Sequence, residues 1–427
     1  MLLLFVFFCA LSAPCNGQVR RILCSEGSGN FSSQFTTGVT VTVGPSKSGH
    51  FSGRTCDATL QWGKNVLPVA RGAWQVDIDV MGADLGLGAP VVAFQIKQSD
   101  VDRQMTYEVY SLKQPPRLLR TITGGDYYTA EDVNLEGRNA IWTNDTAAVD
   151  GFESLPESSY DFAPTVVLRF EKRQLVDVGS EYQPYFDRQI AELKSQIDAR
   201  TLAEFKNSDG KLSPDFSGST EDLHVLRRTK IKVLEIVWAY LYSGREQEAW
   251  NVLADLWPPA DLGRIRASLQ EARDGGILRQ VDRVSNTGSV ARRKRKATIF
   301  NMVTENKQRY DEAHSTLVPD GMGGMVPSGG STGARTPTTV DIGPKAIYLG
   351  IPVLKSEKLV IRDSKVFLNL VIDAAGKVRS AEVDSIADAG LIGAIQVNAS
   401  SAWNFIPAFK AGRAVACRMR LGVSLEQ

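Results

Sequence analysis

The chain has 427 residues, 43% of them hydrophobic and 23% charged, and a net charge of +1. That length calls for two or three domains with ordinary cores. The near-neutral balance argues against a nucleic-acid or anionic-membrane partner, and three histidines in the whole chain argue against a histidine-built metal or catalytic centre.

Residues 1–11 are an unbroken apolar run. The run suits the core of a secretory signal and is too short for a bilayer span, which needs about 20 residues. Residues 1–17 are therefore expected to be a signal peptide, removed after Ser12 or Gly17. The mature chain then belongs in the periplasm or outside the cell; the alternative is an inner-membrane anchor with the remainder facing the periplasm. Pro14 before Cys15 argues against lipid attachment. Of five cysteines, Cys9 and Cys15 lie in or beside the leader, and Cys417 sits on the apolar side of a strand as a packed thiol. Cys24 and Cys56 remain as a candidate disulfide, suited to an oxidising compartment.

Residues 18–180 read as a β-rich domain. Runs of branched and aromatic residues at 39–43, 74–80, 91–95, 107–112, 118–122 and 166–170 are separated by Gly, Pro and Asp, the pattern of a sandwich or a sheet packed on itself. In the most regular run, Trp74, Val76, Ile78 and Val80 alternate with Gln75, Asp77 and Asp79. Further on, Asp132, Asn134 and Glu136 place side-chain oxygens on alternate residues before Gly137, a spacing that suits a hard cation such as Ca2+. The plain alternative is a polar turn between strands. Asp132 to Gly137 with Ile141-Trp142, followed by Ala163-Pro164-Thr165-Val166-Val167 and Leu175-Val176-Asp177, resembles one FG-GAP-type repeat over about 125–180. The resemblance implies calcium binding at the acidic loop.

Residues 181–318 switch to helical spacing. Phe186, Ile190, Leu193 and Ile197 form one apolar stripe. A second helix is expected from Thr220, which caps it, and a third over 246–257, ended by Pro258-Pro259. Trp238 to Ala249, with Tyr240, Gly244 and Ala249 at the packing positions, is similar to the middle of a tetratricopeptide repeat over about 230–257. One copy points to a lone hairpin buttressing the β domain; the alternative is a short peptide-binding groove. The basic run Arg292-Arg293-Lys294-Arg295-Lys296 lacks interleaved aromatics and reads as a solvated helix face.

Residues 319–344 are rich in Gly, Ser, Thr and Pro and read as a flexible linker that isolates the C-terminal module. Residues 345–427 read as strand, strand, helix, strand. Val366, Leu368, Leu370 and Ile372 alternate in the first strand, Gly376 allows a tight turn, and Leu391, Ile395, Ala399 and Trp403 share a helical face that Pro407 ends. Val415, Cys417, Met419, Leu421 and Val423 alternate with Arg418 and Arg420 in the last strand.

The ordered set Asp373, Gly376, Trp403, Phe405, Pro407 and Gly412 resembles the signature of the TonB C-terminal domain, with Gly350-Ile351-Pro352 standing where that family has Tyr-Pro. The resemblance implies a periplasmic ββαβ module that binds an envelope or outer-membrane protein. Its last strand would add to a partner's edge, with Lys410, Arg413, Arg418 and Arg420 flanking the contact.

The fold expected is thus multidomain α+β: a β-rich domain, a helical segment, a Gly-rich linker and a C-terminal ββαβ domain. No nucleophile elbow, phosphate loop or Cys-x-x-Cys pair is present, so no enzyme motif, no cofactor beyond the possible Ca2+ and no small-molecule ligand can be named. The functional expectation is an exported envelope binding or scaffold protein linked to transport. The alternatives are a secreted enzyme, or a calcium-dependent surface-binding protein, acting through the β domain.

Overall fold

The computed structural model describes residues 23–46, 54–155, 162–212, 219–282, 317–319, 325–327, 342–349, 365–383 and 389–424. The expected leader at 1–17, the basic run at 292–296, Gly350-Ile351-Pro352 and most of the linker at 319–344 lie outside the described residues. The chain is mixed α+β, built on antiparallel sheets.

The short strand β1 (Cys24–Ser25) precedes β2 (Phe31–Gln34), β3 (Thr40–Pro45), β4 (Cys56–Trp62) and β5 (Asn65–Ala73), the last four forming one sheet in sequence order. The strands β6 (Gln75–Met81), β7 (Val91–Lys97), β8 (Met105–Ser111) and β9 (Arg117–Gly125) form a second, with β1 on the β6 edge. A third sheet holds β10 (Thr129–Glu131), β11 (Ala140–Asn144), β12 (Thr165–Glu171) and β13 (Gln174–Asp177). Val92, Phe94 and Ile96 of β7 pack with Val41, Val43, Ala58 and Leu60 of the first sheet. Val91 and Ala93 pack the other way, with Ile122, Val167 and Leu168. The second sheet is therefore covered on both faces, which explains why β7 is apolar almost throughout instead of alternating. The expected two-sheet core is present, and a third layer is added to it.

Cys24 and Cys56 are joined by a disulfide that links β1 to β4, and both are fully buried. The bridge closes a loop across 32 positions. Loop-closure entropy for that length predicts that the Cys24→Ala/Cys56→Ala double variant loses about 4 kcal/mol of stability. Urea unfolding of oxidised protein measures it, and a reductant should lower the wild-type midpoint without moving the variant's.

The helices are α1 (Thr146–Val149), α2 (Gln183–Ser195), α3 (Ala199–Lys206), α4 (Thr220–Tyr242), α5 (Glu246–Leu256) and α6 (Leu262–Gly275). The stripe expected to run through Ile197 is cut after Ser195, because Asp198 starts a new helix by accepting the N–H groups of Arg200 and Thr201. The cap of α4 is Ser219, not Thr220: Ser219 and Asp222 satisfy each other's backbone in a capping box. The α4–α5 hairpin turns at Gly244, whose φ is +75°. Val233, Leu234, Val237, Ala249 and Leu253 enter the same core as Val167 and Leu168. The boundary expected at 180/181 therefore divides elements, not cores: the helices cover the third sheet.

Two three-residue strands, β14 (Leu317–Pro319) and β15 (Met325–Pro327), pair with each other. The C-terminal part then runs β16 (Lys345–Tyr348), β17 (Lys365–Ile372), β18 (Val378–Val383), α7 (Ala389–Ala402), β19 (Asn404–Ile406), β20 (Ala408–Lys410), β21 (Arg413–Val415) and β22 (Cys417–Ser424). The sheet order is β18-β17-β22, and its inner face packs Leu368, Leu370, Met419 and Leu421 against Ile395, Ala399 and Trp403 of the helical side. The helix stops at Ala402, before the proline expected to end it. Asn404–Ile406 leave it because they pair with β16. The connection does not isolate this module. Ile347, Ile406 and Phe409 are part of the core of the first two sheets, and the linker's composition carried no signal of where its end lands.

Candidate functional site

The junction between the C-terminal module and the β domain is built on a buried ion pair. Asp79 on β6 is 0% exposed and Lys377, just after the β17–β18 turn, is 5% exposed. Lys377 Nζ donates to Asp79 Oδ1 at 2.7 Å, to the Asp79 carbonyl at 2.6 Å and to Asn404 Oδ1 at 3.2 Å, so all three ammonium protons are used. Asp79 Oδ2 accepts from the Tyr107 hydroxyl at 2.7 Å and from the Ala130 N–H at 2.9 Å. Asn404 Nδ2 donates to the carbonyls of Ile78 and Asp79, each at 2.9 Å. A register shift between Ile78 and Val80 breaks the β6 ladder here. Such a bulge leaves strand backbone groups free to meet a side chain.

Asp373 is the second hub. Its Oδ1 accepts the N–H groups of Ala375 and Lys377, forming the hairpin turn, while its Oδ2 accepts Arg379 Nε and the Asp132 N–H, both at 3.0 Å. Arg379 also reaches Glu131 at 2.9 Å. Gly376 has φ +89°, and a Cβ there would lie 1.8 Å from the Phe405 carbonyl oxygen. The acid and glycine of the hairpin are therefore needed by the junction itself. Trp403 is 2% exposed, its indole N–H on Asn398 Oδ1 at 3.1 Å. Phe405 and Pro407 are buried, and Gly412, φ +74°, turns the exposed β20–β21 hairpin. Phe409 closes the apolar side of the junction, edge-on to Phe35 at 5.7 Å, with Gly82 between them where a Cβ would touch both rings.

None of the four basic residues makes any of these junction contacts. Lys410 and Arg413 face each other across the β20–β21 hairpin, and Arg418 and Arg420 alternate along β22, so they share one face. All four are exposed. Arg420 lies over the Phe367 ring at 4.9 Å, and Phe367 itself is 39% exposed. β22 is the outer strand of its sheet, and β14 runs beside it without joining that sheet.

The acidic loop is turned inward. Asp132 is 1% exposed, and its two oxygens accept the N–H groups of Glu136 at 3.0 Å and Gly137 at 2.7 Å. Asn134 and Glu136 are exposed. Both Asp132 oxygens thus hold their own loop closed, and among the described residues no three His, Cys, Asp or Glu side chains come together as metal ligands would. Burial pushes the Cys417 thiol up to about 12, so it is inert at neutral pH.

No family model, no curated protein and no solved structure matches the chain.

Two further charged centres fasten the helices. Asp145 accepts the Tyr242 hydroxyl at 2.8 Å and the N–H groups of Ala148 and Ile277 at 3.0 and 2.9 Å. Glu153, at φ +55°, takes Lys230 Nζ at 2.9 Å and a two-pronged Arg264. Burial would raise the Glu153 carboxyl, but Arg264 and Lys230 hold it below the usual range, and burial lowers Lys230.

Burial pushes both Asp145 and Asp373 up to about 6. A carboxyl raised above its unfolded value binds its proton more readily in the folded chain. Its contribution is full below about pH 4 and is lost as pH rises through about 6. The unfolding free energy should therefore be higher at pH 5 than at pH 7.5, by roughly 1.4 kcal/mol per group, and thermal melts should show a correspondingly higher Tm. Asp145→Asn should flatten that slope.

Sequence reasoning placed Asp373, Gly376, Trp403 and Phe405 in one motif. Lys377 and Asn404 fall within that motif but were given no role, and Asp79 and Arg379 were missed. The one available signal was an acid on a strand whose neighbours are all apolar, and alternation assigns such an acid to solvent.

Proposed function

We propose that the chain is an exported cell-envelope protein that works by binding another protein through the outer edge of β22. The observation that carries this reading is the polarity of the module. One end, at Asp373, Lys377 and Asn404, is engaged with its own β domain, while the opposite edge is an outer strand lined by exposed Arg418 and Arg420 with Lys410 and Arg413 nearby. An outer strand carries backbone donors and acceptors that a partner strand can pair with, and its flanking cations favour an acidic one. A strand entering there would displace β14. The buried disulfide fits an oxidising compartment, and no described helix is long and apolar enough to cross a membrane. The β domain braces the module, so the chain acts as a rigid scaffold and not as a tethered bait.

Photo-crosslinkers placed in the full-length chain at Arg420 and, as control, at Glu382 on the opposite edge strand test this. Expected is a discrete envelope protein crosslinked from 420 and not from 382, lost in the Arg413→Glu/Arg418→Glu background. Crosslinks equal at both positions, or none at 420, would reject the reading. Fractionation of the same cells checks the compartment.

A further inference from the structure

Three buried side chains at the junction are a primary amine, a primary amide and a carboxylate. Lys377, Asn404 and Asp79 are 5%, 3% and 0% exposed. Lys377 Nζ donates to Asp79 Oδ1 at 2.7 Å and to Asn404 Oδ1 at 3.2 Å, so the amine lies against the carboxylate and the amide carbonyl at once. The amide is fixed at both of its polar atoms. Its oxygen also accepts the Phe405 N–H at 3.1 Å, and its nitrogen donates to the carbonyls of Ile78 and Asp79, each at 2.9 Å. The carboxylate is oriented through its other oxygen, Oδ2, which takes the Tyr107 hydroxyl and the Ala130 N–H and leaves Oδ1 to the lysine. No ligand has to enter for these groups to meet. The fold itself brings them together from β6, the β17–β18 turn and β19.

We propose that Lys377 and Asn404 become joined by an intramolecular amide bond, with Asp79 as the acid–base group that makes it. An amine attacks a carbonyl only as its free base. A proton passing from Nζ to Asp79 Oδ1 turns the ion pair into a neutral amine and a neutral carboxyl, which a core tolerates more readily than charges. The Nζ lone pair then attacks Asn404 Cγ, and the Phe405 N–H stabilises the oxygen as it takes up charge. Asp79 gives its proton to Nδ2 and takes the one that Nζ sheds. The Cγ–Nδ2 bond breaks, its electron pair leaves with the nitrogen, and ammonia departs. The products are a secondary amide, ammonia and a protonated Asp79, and no oxidant, reductant or further reactant is consumed. Asn404 is the carbonyl attacked because its amide is neutral and polarised by a backbone donor, whereas an ionised carboxylate repels a nucleophile and is needed as the base. Groups held in contact replace the collision that makes such an exchange slow in water. The ion pair is the arrangement before reaction. The bond would close a covalent ring across 27 positions, enclosing β18 and α7, and would restrict the unfolded chain as a disulfide does.

Full-length protein is unfolded in urea, digested with trypsin and read by mass spectrometry. An acylated Lys377 is not cut, so the fragment Val366–Arg379 should appear joined to Ser380–Lys410. The joined species should be about 17 Da lighter than the two fragments together, the mass of one ammonia. Fragmentation should place the link between Lys377 and Asn404. Asp79→Asn, shown to be folded by circular dichroism, should reduce the joined species by roughly tenfold or more, and Asn404→Ala should abolish it. Recovery of Val366–Lys377 and Ser380–Lys410 as separate fragments from the wild type overturns the proposal. So does a link from Lys377 to Asp79 with a loss of about 18 Da, the mass of water, or a link undiminished in Asp79→Asn. If Asp79→Asn does not fold, the wild-type fragments still decide whether the bond exists and between which residues.

Discussion

Replacing Lys377 with methionine will lower the unfolding free energy by about 3–5 kcal/mol, the cost of leaving one member of a buried ion pair alone. Asp79 is 0% exposed and would lose its counter-ion while still accepting from the Tyr107 hydroxyl and the Ala130 N–H. The loss would fall on the junction first. Hydrogen exchange of residues 365–424 should speed up under native conditions while α4 and α5 stay protected, because those helices belong to a different core. The Asp79→Asn/Lys377→Met double variant should recover much of the loss, since a neutral pair leaves no bare charge behind. If the single variant unfolds at the wild-type urea midpoint and exchanges no faster, the ion pair does not hold the module in place.

Glu153→Ala should cost a similar amount, about 3–5 kcal/mol, by a different route. It leaves Lys230, whose side chain is 1% exposed, facing Arg264 without the carboxylate it is paired with. Arg264 is 35% exposed and keeps Asp261 at 2.6 Å, so it can lean towards solvent. Lys230 has no such exit, although the Lys211 carbonyl at 3.2 Å and the Trp257 ring remain to it. The prediction is therefore asymmetric. Adding Lys230→Met to Glu153→Ala should restore most of the stability, whereas adding Arg264→Met should restore little. Denaturant midpoints of the four proteins decide it, and equal rescue by both second changes would mean that Lys230 is not the stranded charge.

Much of the fold was legible because the period of the side chains is local. Runs of branched and aromatic residues at 91–95, 107–112 and 166–170 locate β7, β8 and β12 to within a few residues, since a strand needs only its own composition to be recognised. The Asp373–Gly376 turn was legible for the same reason: it satisfies its own backbone within four residues. The strands at Lys345–Tyr348 and Asn404–Ile406 were not. Each is too short to show a period, and each exists only because the other lies beside it. Gly82 carried no local signal either; its role is to make room for Phe35 and Phe409, which approach from opposite ends of the chain.

The sequence by itself determined most of the longer elements, the pairing of Cys24 with Cys56 as an option, and the strand, strand, helix, strand order of the tail's main elements. Only the tertiary structure decided which polar residues face inward. In β6 the alternating acids look like a solvent face, yet Asp79 is buried because its counter-ion arrives from 298 positions away. A charge becomes tolerable in a core only when its partner and donors are brought to it, and that condition is set by packing at a distance that no local spacing can express.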